Sequence, residues 1–383
     1  MLPENVVFIL NRLKEKGFDA YSVGGCVRDR LLNKTPYDWD ITTNALPLEI
    51  KDIFKNFNLN LKGLKHGTVG VIINGEMIEI TTYRIDGEYL DQRRPKNVAF
   101  TSDLKKDLSR RDFTVNAMAM DINEKIIDEF NGMEDLQNRI IRTVGDPEIR
   151  FNEDALRIMR GLRFASTEGF ILEENTLKAS NDLSPNLKNI AYERIYTELK
   201  KMLVLPNAFS VLEKTRTVFE NIFPTLKTDS WEETVKNIKD CNCDFPLALM
   251  MLLSDADTKT ELERLKVETK LKRLIINTKE LLNRQIKNEK VFLQKLMCEY
   301  SKEQILFLCK YLTITTGEDY NKNAQKAAMG ITSIKELDIT GEQVKMLGYK
   351  SYKIKEALNK ALIAVMEEKV ENKEKALKEF LKK

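Results

Sequence analysis

Hydrophobic and polar positions follow two different periods along the chain, and the change falls near residue 140. Between about residues 20 and 125, short β-branched runs such as AYSVGG, TVGVII and MIEITTYRI alternate with helically spaced segments. This pattern is typical of a small α+β domain with a mixed sheet. Beyond residue 140, segments such as NEDALRIMRGLRFAS and KIKEALNKALIAVMEEKV carry apolar residues at helical spacing. The sequence therefore predicts an α+β head followed by an all-α remainder.

Composition excludes several classes of protein. The chain has 383 residues, of which 42% are hydrophobic and 32% charged, without a long apolar run, so we expect a soluble protein that crosses no membrane. Glu4 precedes the first apolar segment, unlike a signal peptide, which predicts a cytoplasmic location. The five cysteines form no CxxC pair and suit reduced thiols. A single histidine, His66, argues against histidine-rich metal sites and histidine triads.

The net charge of +3 conceals an asymmetry between the two ends of the chain. Residues 258–383 hold 27 Lys and Arg against 18 Asp and Glu, a net +9 that leaves −6 for residues 1–257. A basic C-terminal third fits a polyanionic partner. Solvated lysine-rich helix faces explain the same numbers equally well.

The segment VGGCVRDRLLNKTPYDWDITT carries the first chemical motif, a glycine turn followed by two acids. Glycines let backbone amides approach a phosphate, so Gly24, Gly25 and the following helix with Arg28 suit a triphosphate. If DWDITT is a strand, its period of two places Asp38 and Asp40 on one face, where they could share divalent cations. A structural turn beside surface acids is the alternative.

Two further segments add candidate ligands. Glu79, between Ile78 and Ile80 in MIEITTYRI, is either a third site acid or part of an exposed strand face. In LKKDLSRRDFTVNAMAM, two adjacent arginines offer donors for phosphates, and Asp112 offers an acceptor for a ribose hydroxyl. A surface ion pair is the alternative for this second segment.

The segment NEDALRIMRGLRF suggests a base-recognition site. On one continuous helix, Glu153, Asp154, Arg157 and Arg160 share a polar arc, while Ile158 and its apolar neighbours face away. The carboxylate of an Asp can accept from an exocyclic amino group, and the guanidinium of a neighbouring Arg can donate to the adjacent ring nitrogen. Cytosine and adenine present this amino group beside an acceptor nitrogen, whereas uracil and guanine present the reverse pattern. Ion pairs within the helix would explain the same residues without any function.

Together these segments resemble the class II nucleotidyltransferases, which comprise tRNA CCA-adding enzymes, their CC-adding and A-adding relatives, and bacterial poly(A) polymerases. The resemblance covers residues 20–165, through GGCVRDRLL, DWDITT, LKHGTVGV, EITTYR, DLSRRDFTVNAMAMD and FNEDALRIMRGLRFA. It implies a nucleotidyltransferase-type catalytic head, followed by an all-α neck with a nucleotide-reading helix, a helical body and a basic helical tail that binds tRNA. We place these at residues 1–140, 141–205, 206–285 and 286–383.

The resemblance also implies residue roles. Asp38 and Asp40 match the ligands of Mg²⁺, with Glu79 as a third catalytic acid. Asp154 and Arg157 match an amino-acid template for C and A. The remaining matches are nucleotide contacts, at Gly25, Arg28, Arg110, Arg111, Asp112, Asn116, Arg160 and Arg163, of which Arg111 is the best match for a phosphate contact.

The implied activity is addition of C, C and A to the tRNA 3' end from CTP and ATP, without a nucleic-acid template. RIDGEYLDQRRPKNVAF corresponds to a flexible loop that CC-adding relatives lack, which leaves complete CCA addition or, as alternatives, A addition to tRNA ending in CC and poly(A) synthesis. Outside the family, the alternative is a catalytically idle RNA-binding helical protein. The sequence leaves the oligomeric state open.

Overall fold

The protein was analysed as a computed structural model that describes residues 1–87 and 98–382. The chain divides into two compact units, of which the first comprises residues 1–235 with 264–266 and the second comprises 236–263 with 267–383. Within the described residues no helix has both the length and the apolar character needed to cross a bilayer. The finer division into head, neck, body and tail stays a prediction.

The first unit begins with a mixed sheet, as the sequence predicts. In the described residues the sheet has the order β3-β4-β5-β2-β1-β8-β9, with β2 and β5 parallel and the other neighbours antiparallel. A separate antiparallel pair is formed by β6 and β7. The strands are β1 Ala20–Val23, β2 Asp40–Thr43, β3 Asn58–Asn60, β4 Thr68–Ile73, β5 Glu76–Thr82, β6 Arg84–Asp86, β7 Val98–Phe100, β8 Met118–Met120 and β9 Ile126–Asp128.

Short helices connect these strands and cover the sheet. Leu108 packs with Val23 and Ala119 in one buried cluster, which fixes the helix before the RRD segment against strands β1 and β8. The first helix buries Val6 and Ile9 on its apolar face. The helices of this part are α1 Glu4–Glu15, α2 Gly25–Leu31, α3 Pro47–Ile53, α4 Leu104–Ser109 and α5 Gly132–Gln137.

The rest of the first unit is helical except for one detail. β10 Ile140–Ile141 pairs in parallel with β11 Ile171–Leu172, so the prediction of an all-α remainder missed one strand pair. Strands of two residues are too short to show a period in the sequence. The helices are α6 Pro147–Glu153, α7 Leu156–Ala165, α8 Glu174–Asp182, α9 Tyr192–Met202, α10 Ala208–Lys214, α11 Arg216–Ile222 and α12 Trp231–Asp240.

The second unit is helical throughout its described residues and has two buried clusters. One includes Leu293, Ile305 and Ala324, and the other includes Leu358 and Leu377. The helices after α12 are α13 Phe245–Leu252, α14 Thr258–Arg264, α15 Thr269–Leu281, α16 Lys290–Glu299, α17 Lys302–Thr316, α18 Tyr320–Met329, α19 Gly341–Met346, α20 Ser351–Met366 and α21 Glu374–Lys382. An α+β head followed by helices is therefore confirmed.

Candidate active site

The glycine turn lies against one of the predicted phosphate ligands. Gly24 follows β1 with φ of 85° and ψ of −132°, a conformation that side chains disfavour, and α2 begins at the next residue. A Cβ atom at Gly24 would lie 2.9 Å from Nη1 of Arg111. The turn therefore needs glycine both for its backbone angles and for the close approach of the arginine. Two motifs separated by more than eighty residues meet here.

The acidic residues gather at the start of β2. Asp40 is the first residue of that strand and is the register partner of Glu79 in the parallel strand β5, so the two side chains lie on the same face of the sheet. Asp38 is not part of the strand but of a bend before it, and the argument from a period of two was wrong for this residue. Its carboxylate nevertheless acts on Asp40 electrostatically.

The environment of Asp40 favours a counter-charge. Water reaches the side chain, but protein surrounds it on most sides. This withdrawal from bulk water, followed by the negative charges of Asp38 and, more weakly, Glu79, raises the pKa of Asp40 to about 6, while Arg111 opposes the shift. A cation placed among these carboxylates would relieve their repulsion.

The donor set fits a hydrated divalent cation better than a closed metal cage. Within residues 1–87 and 98–382, no three side chains from His, Cys, Asp and Glu form a metal-binding cluster. Asp38, Asp40 and Glu79 are all exposed and offer hard oxygen donors. Mg²⁺ is usually held by one or two carboxylates together with waters and substrate phosphates, which such a set can provide.

Asp112 is the centre of a buried network. Its Oδ1 accepts from the amide of Phe113 at 2.9 Å and from Nδ2 of Asn116 at 3.1 Å, and its Oδ2 accepts from Nε and Nη2 of Arg160 at 2.7 and 2.6 Å. Burial opposes ionisation, but Arg160 and Asn116 outweigh it and lower the pKa of Asp112 to about 2. Nη1 of Arg28 donates to Oδ1 of Asn116 at 2.6 Å. The network thus joins the glycine turn, the RRD segment and α7.

A second buried acid, Asp107, was missed by the sequence analysis. It is fully buried and accepts from Nε of Arg110 at 3.0 Å, from the hydroxyl of Thr42 at 3.1 Å and from the amide of Arg84 at 3.2 Å. Nη2 of Arg111 lies 3.7 Å from its Oδ2. The spacing of three and four residues in DLSRR was a signal for these contacts. Arg110 therefore binds Asp107 in the free protein, and a nucleotide contact by Arg110 stays a prediction.

The predicted base-reading pair, Asp154 and Arg157, does not lie on one helix. Asp154 has φ of −143° and ψ of 103°, an extended conformation that separates α6 from α7. The single helical wheel used for this segment was therefore wrong at Asp154, although it correctly places Ile158 and Met159 in the core. The carboxylate of Asp154 accepts from the amide of Leu156, the first residue of α7, at 3.0 Å, so its side chain lies at the start of the helix that carries Arg157.

Arg157 is buried and has partners on both terminal nitrogens. Its Nη1 lies 2.5 Å from Oε2 of Glu153, the ion pair considered as the non-functional alternative. Its Nη2 donates to the backbone carbonyl of Arg110 at 3.1 Å. The first contact joins α7 to the last residue of α6, and the second ties the predicted base-reading pair to the RRD segment.

Phe164 brings three arginines together and was not predicted as a site residue. The guanidinium carbons of Arg28, Arg160 and Arg163 lie 5.0, 5.5 and 4.0 Å from the centre of its ring, distances typical of cation–π contacts. Nε of Arg163 also lies 2.5 Å from Oε2 of Glu198 on α9. An aromatic residue at helical spacing indicates a core position in the sequence, which concealed this role.

Three family models match successive parts of the chain. Residues 20–142 match "Poly A polymerase head domain", residues 169–229 match "Probable RNA and SrmB- binding site of polymerase A", and residues 245–381 match a tRNA nucleotidyltransferase domain 2. Among curated proteins, the CCA-adding enzyme of Staphylococcus saprophyticus is 37% identical over 98% of this chain and 96% of its own length. The chain belongs to the family of CCA-adding enzymes.

The solved structures of the family agree with this assignment. The CCA-adding enzyme of Bacillus stearothermophilus in complex with CTP has a TM-score of 0.76 and 30% identity, and the match covers 100% of this chain and 97% of that one. The CCA-adding enzyme of Thermotoga maritima complexed with tRNA-CCA has a TM-score of 0.75 and 25% identity over 98% and 94% of the two chains. The resemblance to class II nucleotidyltransferases is confirmed.

Some matches are shorter than these. For the first three curated relatives, all CCA-adding enzymes, the aligned part of this chain spans 61%, 50% and 49% of the relative's length. The part of the predicted flexible loop at residues 88–97 lies outside the described residues. The roles of the individual site residues stay predictions.

Proposed function

We propose that the protein adds C, C and A to the 3' end of tRNA from CTP and ATP and releases pyrophosphate. The observation that carries this proposal is the hydrogen bond from Nη2 of Arg157 to the carbonyl of Arg110. It joins a candidate base reader to the segment that carries the candidate phosphate ligands. Recognition of the base and of the triphosphate can then occur on one bound nucleotide. Near full-length similarity to CCA-adding enzymes supports the same proposal.

The reaction needs in-line attack at phosphorus and no covalent enzyme intermediate. The terminal 3'-hydroxyl oxygen of the RNA forms a bond to the α-phosphorus, the bond to the pyrophosphate oxygen breaks, and the hydroxyl proton passes to solvent. Arg111, close to Gly24 and to Asp40, would bind the triphosphate and stabilise the charge of the leaving group. Arg28, positioned by Asn116, would contribute at the same turn.

Asp38 and Asp40 would hold Mg²⁺, with Glu79 beside them as the third acid. The cation would supply positive charge at the attacking hydroxyl and at the triphosphate. Burial and, after it, the negative charges of Asp38 and Glu79 raise the pKa of Asp40 in the free protein, and the relief that a cation would give supports the assignment. Asp112, held by Arg160, would position the arginines around the nucleotide or accept from its ribose hydroxyl.

Base selection would depend on the carboxylate of Asp154 and the guanidinium of Arg157. Asp154 uses one acceptor position on each oxygen, for the amide of Leu156 and for Arg194, and a carboxylate offers about four positions in all. It can therefore accept the amino group of cytosine or adenine while it keeps both of these hydrogen bonds. Uracil and guanine would turn a carbonyl oxygen towards the same carboxylate and be rejected.

The tRNA would be held in part by the lysine-rich second unit. The C-terminal third of the sequence has a net charge of +9, and a CCA-adding enzyme of the same fold has been solved with tRNA-CCA. Phosphate contacts by lysines would supply affinity that is independent of sequence. Because its substrates are CTP, ATP and tRNA, we place the reaction in the cytoplasm.

The decisive experiment uses three tRNA transcripts, ending at the discriminator base, at C and at CC, each incubated with purified protein, Mg²⁺ and single nucleoside triphosphates. We expect C to be added to the first two transcripts and A only to the third. Extension of the CC-ended transcript alone, and only by A, would show an A-adding enzyme. Long A tracts on arbitrary RNA would show a poly(A) polymerase, and no transfer to any transcript by protein that still binds tRNA would show an idle RNA-binding protein.

A further inference from the structure

Asp154 lacks the support that a helix gives to its side chains. It occupies the extended break between α6 and α7, and its side chain accepts two hydrogen bonds from described residues. Oδ1 accepts from the amide of Leu156 at 3.0 Å, and Oδ2 accepts from Nη2 of Arg194 at 3.1 Å. Two anchors on different oxygens fix the plane of a carboxylate, whereas one anchor leaves it free to rotate.

Arg194 belongs to a helix that holds α7 in a second place. Arg194 and Glu198 are four residues apart on α9, so they lie on the same face of that helix. Glu198 pairs with Arg163 at 2.5 Å, near the C-terminal end of α7. The buried residues Ile195 and Leu199 of α9 form its apolar face. Helix α9 thus holds the predicted base-reading segment in two places, at the break before α7 and near the C-terminal end of α7.

Stability alone does not account for Arg194. The side chains of Arg194 and Asp154 are 28% and 17% exposed, and partly exposed ion pairs add little to the free energy of unfolding. Nη1 of Arg194 is buried and has no hydrogen-bond partner among the residues that the structure describes. A buried donor without a partner opposes folding. The pair is better explained by the orientation that it gives to Asp154.

We propose that Arg194 is a positioning residue for base selection, which it achieves by fixing the plane of the Asp154 carboxylate. The remaining acceptor positions of Asp154 then point in set directions, towards the amino group of an incoming cytosine or adenine. This inference rests on the proposed function, because it requires Asp154 to read the base. Without Arg194 the carboxylate would turn and would no longer oppose the carbonyl oxygen of uracil or guanine.

The test measures kcat/KM for CTP, UTP, ATP and GTP on the appropriate tRNA ends for the full-length protein and its variants. In Arg194→Ala we expect the CTP/UTP and ATP/GTP ratios to fall about tenfold, the effect of one hydrogen bond to a charged group. Arg194→Lys keeps one charged donor and should restore part of each ratio. The matched control is Arg216→Ala, which removes an arginine from a pair with Glu220 on α11 and should leave both ratios unchanged.

The outcomes separate this inference from the proposed function. If Asp154→Ala keeps its selectivity, the assignment of the base reader is wrong and the inference fails with it. If Asp154→Ala loses selectivity but Arg194→Ala keeps it and only melts at a lower temperature, the inference alone is overturned. Should Arg194→Ala fail to fold, Arg194→Gln and Arg194→Lys decide the question by the same ratios.

Discussion

Positive charge is held in different ways in the two units of the protein. In the first unit, the arginines around Phe164 and Asp112 are paired with acids that are largely buried, as Arg160 is with Asp112. In the second unit, the C-terminal lysines pair with neighbouring glutamates in water, as Lys373 does with Glu371, and both of those side chains are at least 70% exposed. Fixed guanidinium groups suit selective contacts with one nucleotide, whereas solvated ammonium groups suit salt-dependent attraction to a long polyanion.

Removal of the central acid should have the largest effect. We expect Asp40→Asn to reduce nucleotide transfer on the order of 10³-fold or more, since the proposed function makes Asp40 a metal ligand at the reacting phosphate. Its melting temperature should equal or exceed that of the wild type, because the raised pKa of Asp40 means that its charge opposes folding at neutral pH.

The matched control for this variant lies in the second unit. Asp255→Asn alters the other Asp-x-Asp segment, DAD at 255–257, and should leave transfer unchanged. Single-turnover assays and melting curves on both variants provide the measurement. Near-normal transfer by folded Asp40→Asn would remove the basis for a metal site in the first unit.

The next effect concerns selectivity. In Asp154→Ala we expect the preference for CTP over UTP to fall roughly 5- to 150-fold, which corresponds to about 1–3 kcal/mol for a lost hydrogen bond. The metal site should still work, so transfer itself continues. Ratios of kcat/KM for the four triphosphates, with a melting curve, test this expectation. Retained selectivity with lower thermal stability would show that the arginine-rich region is structural and reads no base.

The buried Asp112 network should be visible in the pH dependence of stability. The pKa of Asp112 is lowered to about 2 in the folded protein from 3.8, so its ionised form contributes about 2 kcal/mol at neutral pH. Because the folded pKa is lowered, this contribution is complete above about pH 5 and is lost as the pH falls towards 2.

As the pH falls from about 5 towards 2, the difference in the free energy of unfolding between the wild type and Asp112→Asn should shrink. Urea unfolding can be followed by tryptophan fluorescence, since both tryptophans, Trp39 and Trp231, belong to the first unit. Asp52→Asn, which removes an exposed carboxylate from α3, serves as the control. A difference for Asp112→Asn that does not change between pH 7 and pH 3 would contradict the account of its network.

The smallest effect is expected from the lysines of the second unit. Deletion from residue 345 onward would remove α20 and α21, whose Leu358 and Leu377 belong to a buried cluster, so substitution is the cleaner test. Serine at the exposed Lys350, Lys353 and Lys355 should lower the slope of log affinity for tRNA against log salt by about 1 for each phosphate that the variant no longer binds.

A triple variant in the first unit provides the comparison for these lysines. Lys14, Lys16 and Lys62 are also exposed, and their replacement by serine should leave the slope unchanged. The slopes can be measured by filter binding between about 50 and 200 mM salt, a range over which the affinity of proteins that bind many phosphates falls by about 10³–10⁵. Equal slopes for both variants and the wild type would show that the lysines of the second unit are simply solvated.

The sequence predicted those features that depend on neighbouring residues. The strand of Glu79, the turn at Gly24 and the apolar face of α7 follow from short-range periods and from glycine, and the structure confirms them. The break at Asp154 was missed because neither glycine nor proline interrupts the helical pattern there.

Contacts between distant parts of the chain were harder to predict. Glu198 acquires its role through an ion pair with Arg163, and this pair spans 35 residues. No local pattern specifies such partners, whereas a family resemblance transfers only the residues that its motifs contain. The assignment of base-reading roles to Asp154 and Arg157 accordingly remains to be tested by the variants above.

The Arg163–Glu198 pair also bears on how the protein is made. The acids at 38 and 40 leave the ribosome early, but the ion pair that holds the end of α7 cannot close until residue 198 has been synthesised and has emerged. Nascent chains that stop before this point would carry the carboxylates and the glycine turn without the clamp from α9. The contact that holds the end of α7 is therefore completed only after all of α7 and most of α9 have been synthesised.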